Sequence, residues 1–436
     1  MTELLSIESL DMEARGIARR DGKTIFVEGA LPHEQVLAKT FKKKSSYEMA
    51  QTQQVLKSSS LRVPPACPNF GVCGGCAMQH LDATAQVAIK QRVLEDNFKH
   101  IGKLKIPTVM APMYGPFWHY RFRARLSVRY VRKKDEVLIG FREKKSHFVT
   151  NMSECLVLPE AVSDLLPKLR QLFTQLSIKE AIPQLEVCVG EAVIVLVIRH
   201  MQPIPEEDML KLRQFAQAYG VSWWSQSKGP DKVKPFEAAD VDKLYYSLPQ
   251  FGLNMKYLPT DFTQVNPYIN RALVSKALRL LQVQAEDRVA DLFCGLGNFS
   301  LPLATQVRQV VGIEGSDRLT TRALAAAAEH GLAHKLSFST LNLFEIDVQW
   351  LRDLGYFDRI LIDPPREGAL AVSQALAQLD AHERPKRIVY VSCNPATLAR
   401  DAAELVHQGG YRLHSAGVVN MFPHTAHVES IAVFES

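Results

Sequence analysis

From about residue 285 to residue 407 the chain repeats one pattern, a short apolar run followed by a helix-like stretch. The apolar runs are Val289 to Phe293, Val310 to Ile313, Phe357 to Ile362 and Ile388 to Val391, and the helix-like stretches include Arg318 to His330 and Ala396 to His407. Strands that alternate with helices in this way build a parallel α/β sheet. Gly417 to Phe434 has no helical spacing and predicts an antiparallel hairpin closing that sheet.

The chain has 436 residues, and at about 150 residues per domain it divides into two to four units. The expected fold class is α/β and β multidomain. Residues 1–58 read as short strands broken by turns: Asp21-Gly22 separates Ile17-Ala18 from Thr24 to Val27, with Gly29 and Pro32 beyond. A small β-barrel fits, and Lys42 to Lys44 form a basic loop or only a solvated turn. Lys57 to Ser60 reads as a linker. Residues 59–260 form a central α+β unit with a helix over Thr84 to Phe98 and strands in Leu185 to Val197. Residues 261–436 hold the α/β pattern.

Within the central unit, His119 to Tyr130 alternates with period two. Tyr120, Phe122, Ala124, Leu126 and Val128 face one way, and Arg121, Arg123, Arg125 and Arg129 the other. That arginine face, followed by Arg132, Lys133 and Lys134, is either a solvated strand face or a phosphate-binding stripe.

Composition narrows the class of protein. Hydrophobic residues make up 47% and charged residues 22%, and no apolar run reaches the roughly 18 residues of a membrane helix. The first 16 residues are acidic where a signal peptide is basic, which predicts a cytoplasmic protein. A net charge of +6 supports only nonspecific attraction to polyanions. Seven cysteines, an odd number spread over a long chain, argue against a disulfide framework and for metal or catalytic roles.

Val289 to Ser300 puts the glycine-rich turn Gly295-Leu-Gly297 directly after a buried strand. Glu314 ends the next strand, about 20 residues on, where an acid accepts hydrogen bonds from ribose hydroxyls. Ser300 stands where a dinucleotide fingerprint has its third glycine, and no diphosphate cradle is evident. S-adenosylmethionine suits this turn better than a dinucleotide. Cys294, inside the turn, reads as a packing residue.

Arg387 to Arg400 is an apolar strand followed at once by a helix, with Asn394 as N-cap and Pro395 at its first position. Cys393 therefore sits at the carboxyl end of a parallel strand, beside a helix N-terminus that lowers a thiol pKa. Position alone favours packing. Asp363-Pro-Pro-Arg366 ends the preceding strand and opens onto the same edge. Such a loop can direct methylation of an exocyclic amine, which needs no thiol. Uracil C5, by contrast, becomes nucleophilic only after a thiolate adds to C6. A base must then take the C5 proton, and Glu429 is the candidate.

Cys67, Cys73, Cys76 and the distant Cys155 form a separate group around the flexible Gly71-Val-Cys-Gly-Gly-Cys76. Their spacing favours a metal, with zinc and iron–sulfur both compatible with four thiolates. Cys188, on a strand, reads as core.

Over essentially its whole length the chain resembles the RNA uracil-C5 methyltransferase family, in particular its bacterial rRNA branch. The resemblance rests on FTQVNP (Phe262 to Pro267), DLFCGLGNFSLPLA (Asp291 to Ala304), Glu314, LIDPPREG (Leu361 to Gly368), VSCNPATLARD (Val391 to Asp401) and HVES (His427 to Ser430). It implies a Rossmann-like methyltransferase domain. In that domain Gln264, Phe293, Asn298, Glu314, Asn342 and Asp363 contact S-adenosylmethionine or the reaction centre, Cys393 is the nucleophile and Glu429 the base. It implies a four-iron, four-sulfur (4Fe-4S) cluster on Cys67, Cys73, Cys76 and Cys155. VEGALPHEQV (Val27 to Val36) resembles a TRAM domain, an RNA-binding, OB-like barrel. Barrel and cluster together imply 23S rRNA as the partner of a monomeric enzyme. The target uridine is flipped from a loop, and Phe262 fills or stacks beside the vacated place. The rivals are another rRNA or tRNA target, an amine methyltransferase and a non-catalytic rRNA-binding assembly factor.

Overall fold

A computed structural model of the chain describes residues 2–229 and 232–436. Its first unit contains β1 (Thr2–Ser6), β2 (Ser9–Leu10), β3 (Gly16–Arg20), β4 (Lys23–Glu28), β5 (Gln35–Lys43) and β6 (Tyr47–Lys57) in the order β1-β5-β6-β4-β3-β2. β4 and β6 pair in parallel and the other neighbours antiparallel. Alternation along the strands turns Ile25, Val27, Val36, Ala38 and Ala50 into a small shared core. Lys42 to Lys44 lie exposed at the far end of the β5–β6 hairpin.

So small a core needs an anchor, and Glu34 supplies one. Its carboxylate is buried and accepts hydrogen bonds from Leu31 N at 2.8 Å, Ser59 N at 3.2 Å and Arg62 Nε at 2.6 Å. The Lys57 to Ser60 stretch, expected as a linker, is thus tied down at its middle by a buried charge from the barrel.

β7 (Thr108–Val109) belongs to the C-terminal sheet. The central sheet follows, with β8 (Arg123–Val131), β9 (Glu136–Gly140), β10 (Gln184–Val189), β11 (Ile194–Arg199), β12 (Val221–Gln226) and β13 (Val233–Pro235) in the order β13-β12-β11-β10-β8-β9. The helices Leu166–Thr174 and Glu206–Tyr219 share a core with it through Leu169, Phe173, Leu212 and Trp223. The alternation expected around β8 holds, since Tyr120, Ala124, Leu126 and Val128 are buried.

The arginine face divides. Arg123 turns inward to the carbonyls of Pro259 and Asp261, Arg125 pairs with Glu186 at 3.0 Å, and Arg121 lies over the Phe141 ring. Arg129 remains exposed, and Arg132 pairs with Glu180 at 2.6 Å. Cys188 is core, packed with Val195, Val197 and Trp224.

After the hairpin β14 (Tyr245–Leu248) and β15 (Leu253–Lys256) comes the third sheet. It contains β16 (Arg288–Leu292), β17 (Gln309–Glu314), β18 (Leu336–Thr340), β19 (Arg359–Ile362), β20 (Arg387–Ser392), β21 (Arg412–Val419) and β22 (Glu429–Glu435). The order is β18-β17-β16-β19-β20-β22-β21-β7, parallel from β18 to β20, with β22 antiparallel to both its neighbours. Helix Ala83–His100 covers one face, where Leu94, Phe98 and Ile106 share a core with Leu292, Ile360 and Leu398. Residues 83–109, grouped by the sequence with the central unit, therefore return to the C-terminal sheet. An apolar helix face does not specify which of two cores it will cover. Among the described residues no helix is long and apolar enough to cross a membrane.

Burial acts against ionisation of Glu34, yet the hydrogen bonds from Arg62, Leu31 and Ser59 win and hold its pKa below the ordinary carboxylate value. Its contribution to stability is therefore present above the unfolded-state pKa and lost as pH falls through the folded one. Arg62→Ala leaves that carboxylate buried with only the Leu31 and Ser59 N–H donors, and the expected cost is about 1–3 kcal/mol at neutral pH. Thermal denaturation checks this: the gap between variant and wild type narrows as the pH drops below the carboxylate range. A gap independent of pH contradicts it.

Candidate active site

β16 is buried and leads into a turn that only unusual backbone can make. Phe293, Gly295 and Gly297 have φ of 64°, 55° and 84°. A Cβ on Gly297 would lie 2.5 Å from Leu301 Cδ1, so glycine is required there by space as well as by φ. Glu314, at the end of β17, accepts from Gly295 N at 3.1 Å and Ser316 N at 3.1 Å, which locks turn and acid together. The Phe293 ring stands 5.5 Å from that of Phe344, and Asn342 accepts from Phe344 N at 3.2 Å on the same rim. Asn342 itself is exposed.

Below the turn, Asp291 is fully buried and accepts from Ser300 Oγ at 2.5 Å, leaving its other oxygen without a partner. Asn298 exchanges hydrogen bonds with Asn270 at 2.9 and 3.0 Å and accepts from the Tyr246 hydroxyl at 2.9 Å. Asn270 lies in helix Pro267–Leu281, which Asn266 caps by accepting from Ile269 N at 3.2 Å. FTQVNP (Phe262 to Pro267) thus ends in a helix cap, with Asn266 buried and donating to Met421 O at 3.2 Å. Gln264 lines the same cavity as Asn270 and Tyr246. Phe262 is 74% exposed.

The reaction centre is fixed by strand register. The β20–β22 ladder ends at the pair Ser392–Ser430, which brings Cys393 and Glu429, each the next residue beyond it, to the same end of the sheet, where Glu429 acts on the thiol. Ser430 Oγ donates to Ser392 O at 3.3 Å and holds that end of the pairing. Asn394 caps the next helix through Ala396 N at 3.1 Å, as the sequence suggested, and its amide donates to Arg366 O at 3.1 Å. Asp363 N donates to Leu292 O at 3.2 Å, which places the D-P-P loop beside the glycine turn.

The electrostatics correct one expectation. Beside a helix N-terminus the Cys393 thiol was expected to be acidified, but it is pushed up to about 12, by burial first and then by Glu429 and Asp363, with Arg366 opposing. The helix end is a partial charge, whereas two carboxylates and burial act together. Burial lifts Asp363 to about 7. Burial and Asp363 lift Glu429 to about 8 against Arg366, and Asp291 rises to about 7, chiefly by burial. A recess with this many suppressed carboxylates, one with an orphaned oxygen, is made for a ligand that brings positive charge. A sulfonium fits; a diphosphate does not. Asp291, Asn270, Tyr246 and Arg366 were not singled out from the sequence, although Asp291 and Arg366 lie inside motifs quoted above.

Cys67, Cys73, Cys76 and Cys155 line one small cavity with Phe70 and Phe141. Gln79 accepts from Cys67 N at 3.1 Å, Cys73 Sγ accepts from Gly75 N at 3.3 Å, and Ser163 Oγ accepts from Cys155 N at 2.9 Å. Burial pushes Cys76 up to about 11 and Cys155 to about 12, and the neighbouring cysteines add to each rise. Among the described residues no three His, Cys, Asp or Glu side chains are grouped to hold a single metal ion.

Three comparisons with known proteins bear on this site. A family model described as tRNA (Uracil-5-)-methyltransferase matches residues 82–436. The chain is 65% identical over 436 residues to a Bordetella bronchiseptica protein named 23S rRNA (uracil(1939)-C(5))-methyltransferase RlmD, covering 100% of this chain and 94% of the relative. It is 57% identical over 441 residues to a Cupriavidus pinatubonensis protein of the same name, covering 99% and 95%. In fold it is similar to the crystal structure of Pyrococcus abyssi tRNA (uracil-54, C5)-methyltransferase in complex with S-adenosyl-L-homocysteine, at 23% identity and a TM-score of 0.74 over 100% of both chains.

Removing the charge at residue 429 removes one of the two carboxylates that suppress the thiolate. Glu429→Gln is therefore expected to lower the Cys393 pKa and, at pH 10, where Glu429 is ionised, to speed its alkylation by iodoacetamide up to about tenfold, since one pKa unit is tenfold in thiolate. Peptide mass spectrometry follows residue 393 directly. Equal rates in variant and wild type contradict this electrostatic picture.

Proposed function

The chain belongs to the tRNA (Uracil-5-)-methyltransferase family, and from that premise we propose that it transfers a methyl group from S-adenosylmethionine to C5 of a specific uridine in 23S rRNA. The observation that carries the reading is the β20–β22 ladder, whose last pair Ser392–Ser430 brings Cys393 and Glu429 together at the carboxyl edge of the sheet.

S-adenosylmethionine supplies an electrophilic methyl on a sulfonium. Gln264, Phe293, Asn298, Glu314, Asn342 and Asp363 are the residues proposed to hold it, around the turn after β16. Cys393 adds as thiolate to C6 of the uracil, and the electrons of the C5–C6 double bond move into an enolate. C5 then takes the methyl group as the methyl–sulfonium bond breaks, its electron pair staying on sulfur to give the neutral thioether S-adenosylhomocysteine. Glu429 removes the C5 proton, the double bond re-forms and the C6–S bond breaks, releasing Cys393. A base whose pKa is about 8 holds its proton once received at neutral pH and must lose it before the next turnover.

The target uridine is proposed to be flipped from a loop of the RNA, with the exposed Phe262 filling its place. The N-terminal barrel is proposed to be TRAM-like and to meet RNA phosphates with Lys42 to Lys44, helped by Arg129, Lys133 and Lys134 of the central unit. A 4Fe-4S cluster is proposed on Cys67, Cys73, Cys76 and Cys155. The support is a donor set of four thiols around one cavity, Cys155 buried and Cys67, Cys73 and Cys76 half-buried. Methyl transfer uses no electrons, so the cluster's role is structural or in docking RNA. The protein is proposed to work as a cytoplasmic monomer.

The test incubates the chain with labelled S-adenosylmethionine and unmodified 23S rRNA. One methyl group per RNA, at C5 of one uridine and lost in Cys393→Ala, is the expected result. Tight, salt-sensitive RNA binding without transfer would make the chain an assembly factor. Activity retained in Cys393→Ala would make it an amine methyltransferase. Iron and sulfide in anaerobically purified protein test the cluster, and zinc without iron would refute it.

A further inference from the structure

Helix Ala83–His100 packs beside the active-site sheet, yet three of its polar side chains point into the protein interior. Lys90 is 1% exposed and has no carboxylate partner among the described residues: its Nζ donates to Asn420 Oδ1 at 2.8 Å and Phe422 O at 2.8 Å. Burial pushes its pKa down to about 7, so the position costs stability and packing alone does not call for it. One turn away Gln86, fully buried, accepts from His424 N at 2.8 Å and donates to His424 Nδ1 at 3.1 Å. Gln91 accepts from Val418 N at 3.1 Å. The helix thus holds Val418, Asn420, Phe422 and His424, the end of β21 and the connection into β22.

That connection ends at Glu429. In the β21–β22 pairing Glu429 faces Val419, so Gln91 and Lys90 grip the residues on either side of the base's strand partner. The groups that shift the Glu429 carboxyl are Asp363 and Arg366, not Lys90, so any influence of Lys90 runs through backbone position. The loop is also gripped from the cysteine segment, where Ala77 N and Met78 N donate to His424 O at 2.8 and 3.0 Å.

We propose that Lys90, Gln86 and Gln91 are positioning residues for Glu429, holding the β21–β22 connection so that the carboxylate meets the C5 proton. The inference rests on Glu429 being the base. Its signature is a slowed final step: adduct formation and methylation proceed, but the C6–S bond is not released.

The experiment mixes ordinary unmodified 23S rRNA and S-adenosylmethionine with full-length variants and measures the covalent protein–RNA fraction by denaturing gel, alongside kcat and KM. Glu429→Gln is expected to accumulate adduct and to lower kcat about 100-fold. Lys90→Met and Gln91→Leu are expected to accumulate adduct as well, with kcat between that value and the wild type and the KM for RNA falling with it, so that kcat/KM is unchanged. Gln91→Leu, at a half-buried site, serves if Lys90→Met does not fold. Arg62→Ala, which weakens the fold elsewhere, is expected to show no adduct. If Glu429→Gln accumulates adduct while Lys90→Met and Gln91→Leu do not, the positioning role is overturned and the base remains. If Glu429→Gln accumulates none, both readings fall.

Discussion

The insertion of the C-terminal strand β22 between β20 and β21 is the constraint on which the site depends. Side chains alternate along a strand, so a slip of one residue would turn Glu429 away from Cys393. The register is pinned at both ends. Far from the site, Glu435 takes both Arg387 and Arg412; near it, Ser430 Oγ holds Ser392 O. The parallel strands β16, β17, β19 and β20 need no such device, because they are buried along almost their whole length. β22 comes from the far end of the chain, and only pairing places it.

Around that pair the fold gathers carboxylates it cannot easily ionise. Asp291, Asp363 and Glu429 come from three different strands or strand ends, and each is raised toward neutrality. Repulsion within such a group is tolerated where a protein must receive a cation, and it keeps Cys393 a thiol until the charge around it changes. The strong suppression of the thiol is therefore a property of the site's wiring.

Local features of the sequence were legible and long-range ones were not. Asn394 and Pro395 announce a helix start from adjacent residues, so the location of Cys393 at the strand end could be read directly. Its pKa could not, because Asp363 and Glu429 lie 30 and 36 positions away and only the sheet brings them close. The Asn298–Asn270 exchange, the burial of Asn266 and the inward turn of Arg123 are likewise contacts between segments. Helix Ala83–His100 was legible as a helix, but its choice of core was not, since its buried Gln86 and Lys90 read as ordinary polar positions. Gln264 and Asn342 came through resemblance to a family and not from their own surroundings, and Glu429 entered as a candidate only because attack by Cys393 requires a base.

The central claim is that Cys393 forms a bond to C6 of a uracil whose C5 accepts the methyl group. RNA carrying 5-fluorouridine at the target position tests it most directly, because fluorine cannot leave as a proton does and the final elimination stops. With S-adenosylmethionine present, the account predicts a stable protein–RNA adduct that peptide mass spectrometry maps to Cys393 and that Cys393→Ala abolishes. Methyl transfer to the RNA with no such adduct, or an adduct mapped to another residue, would contradict it.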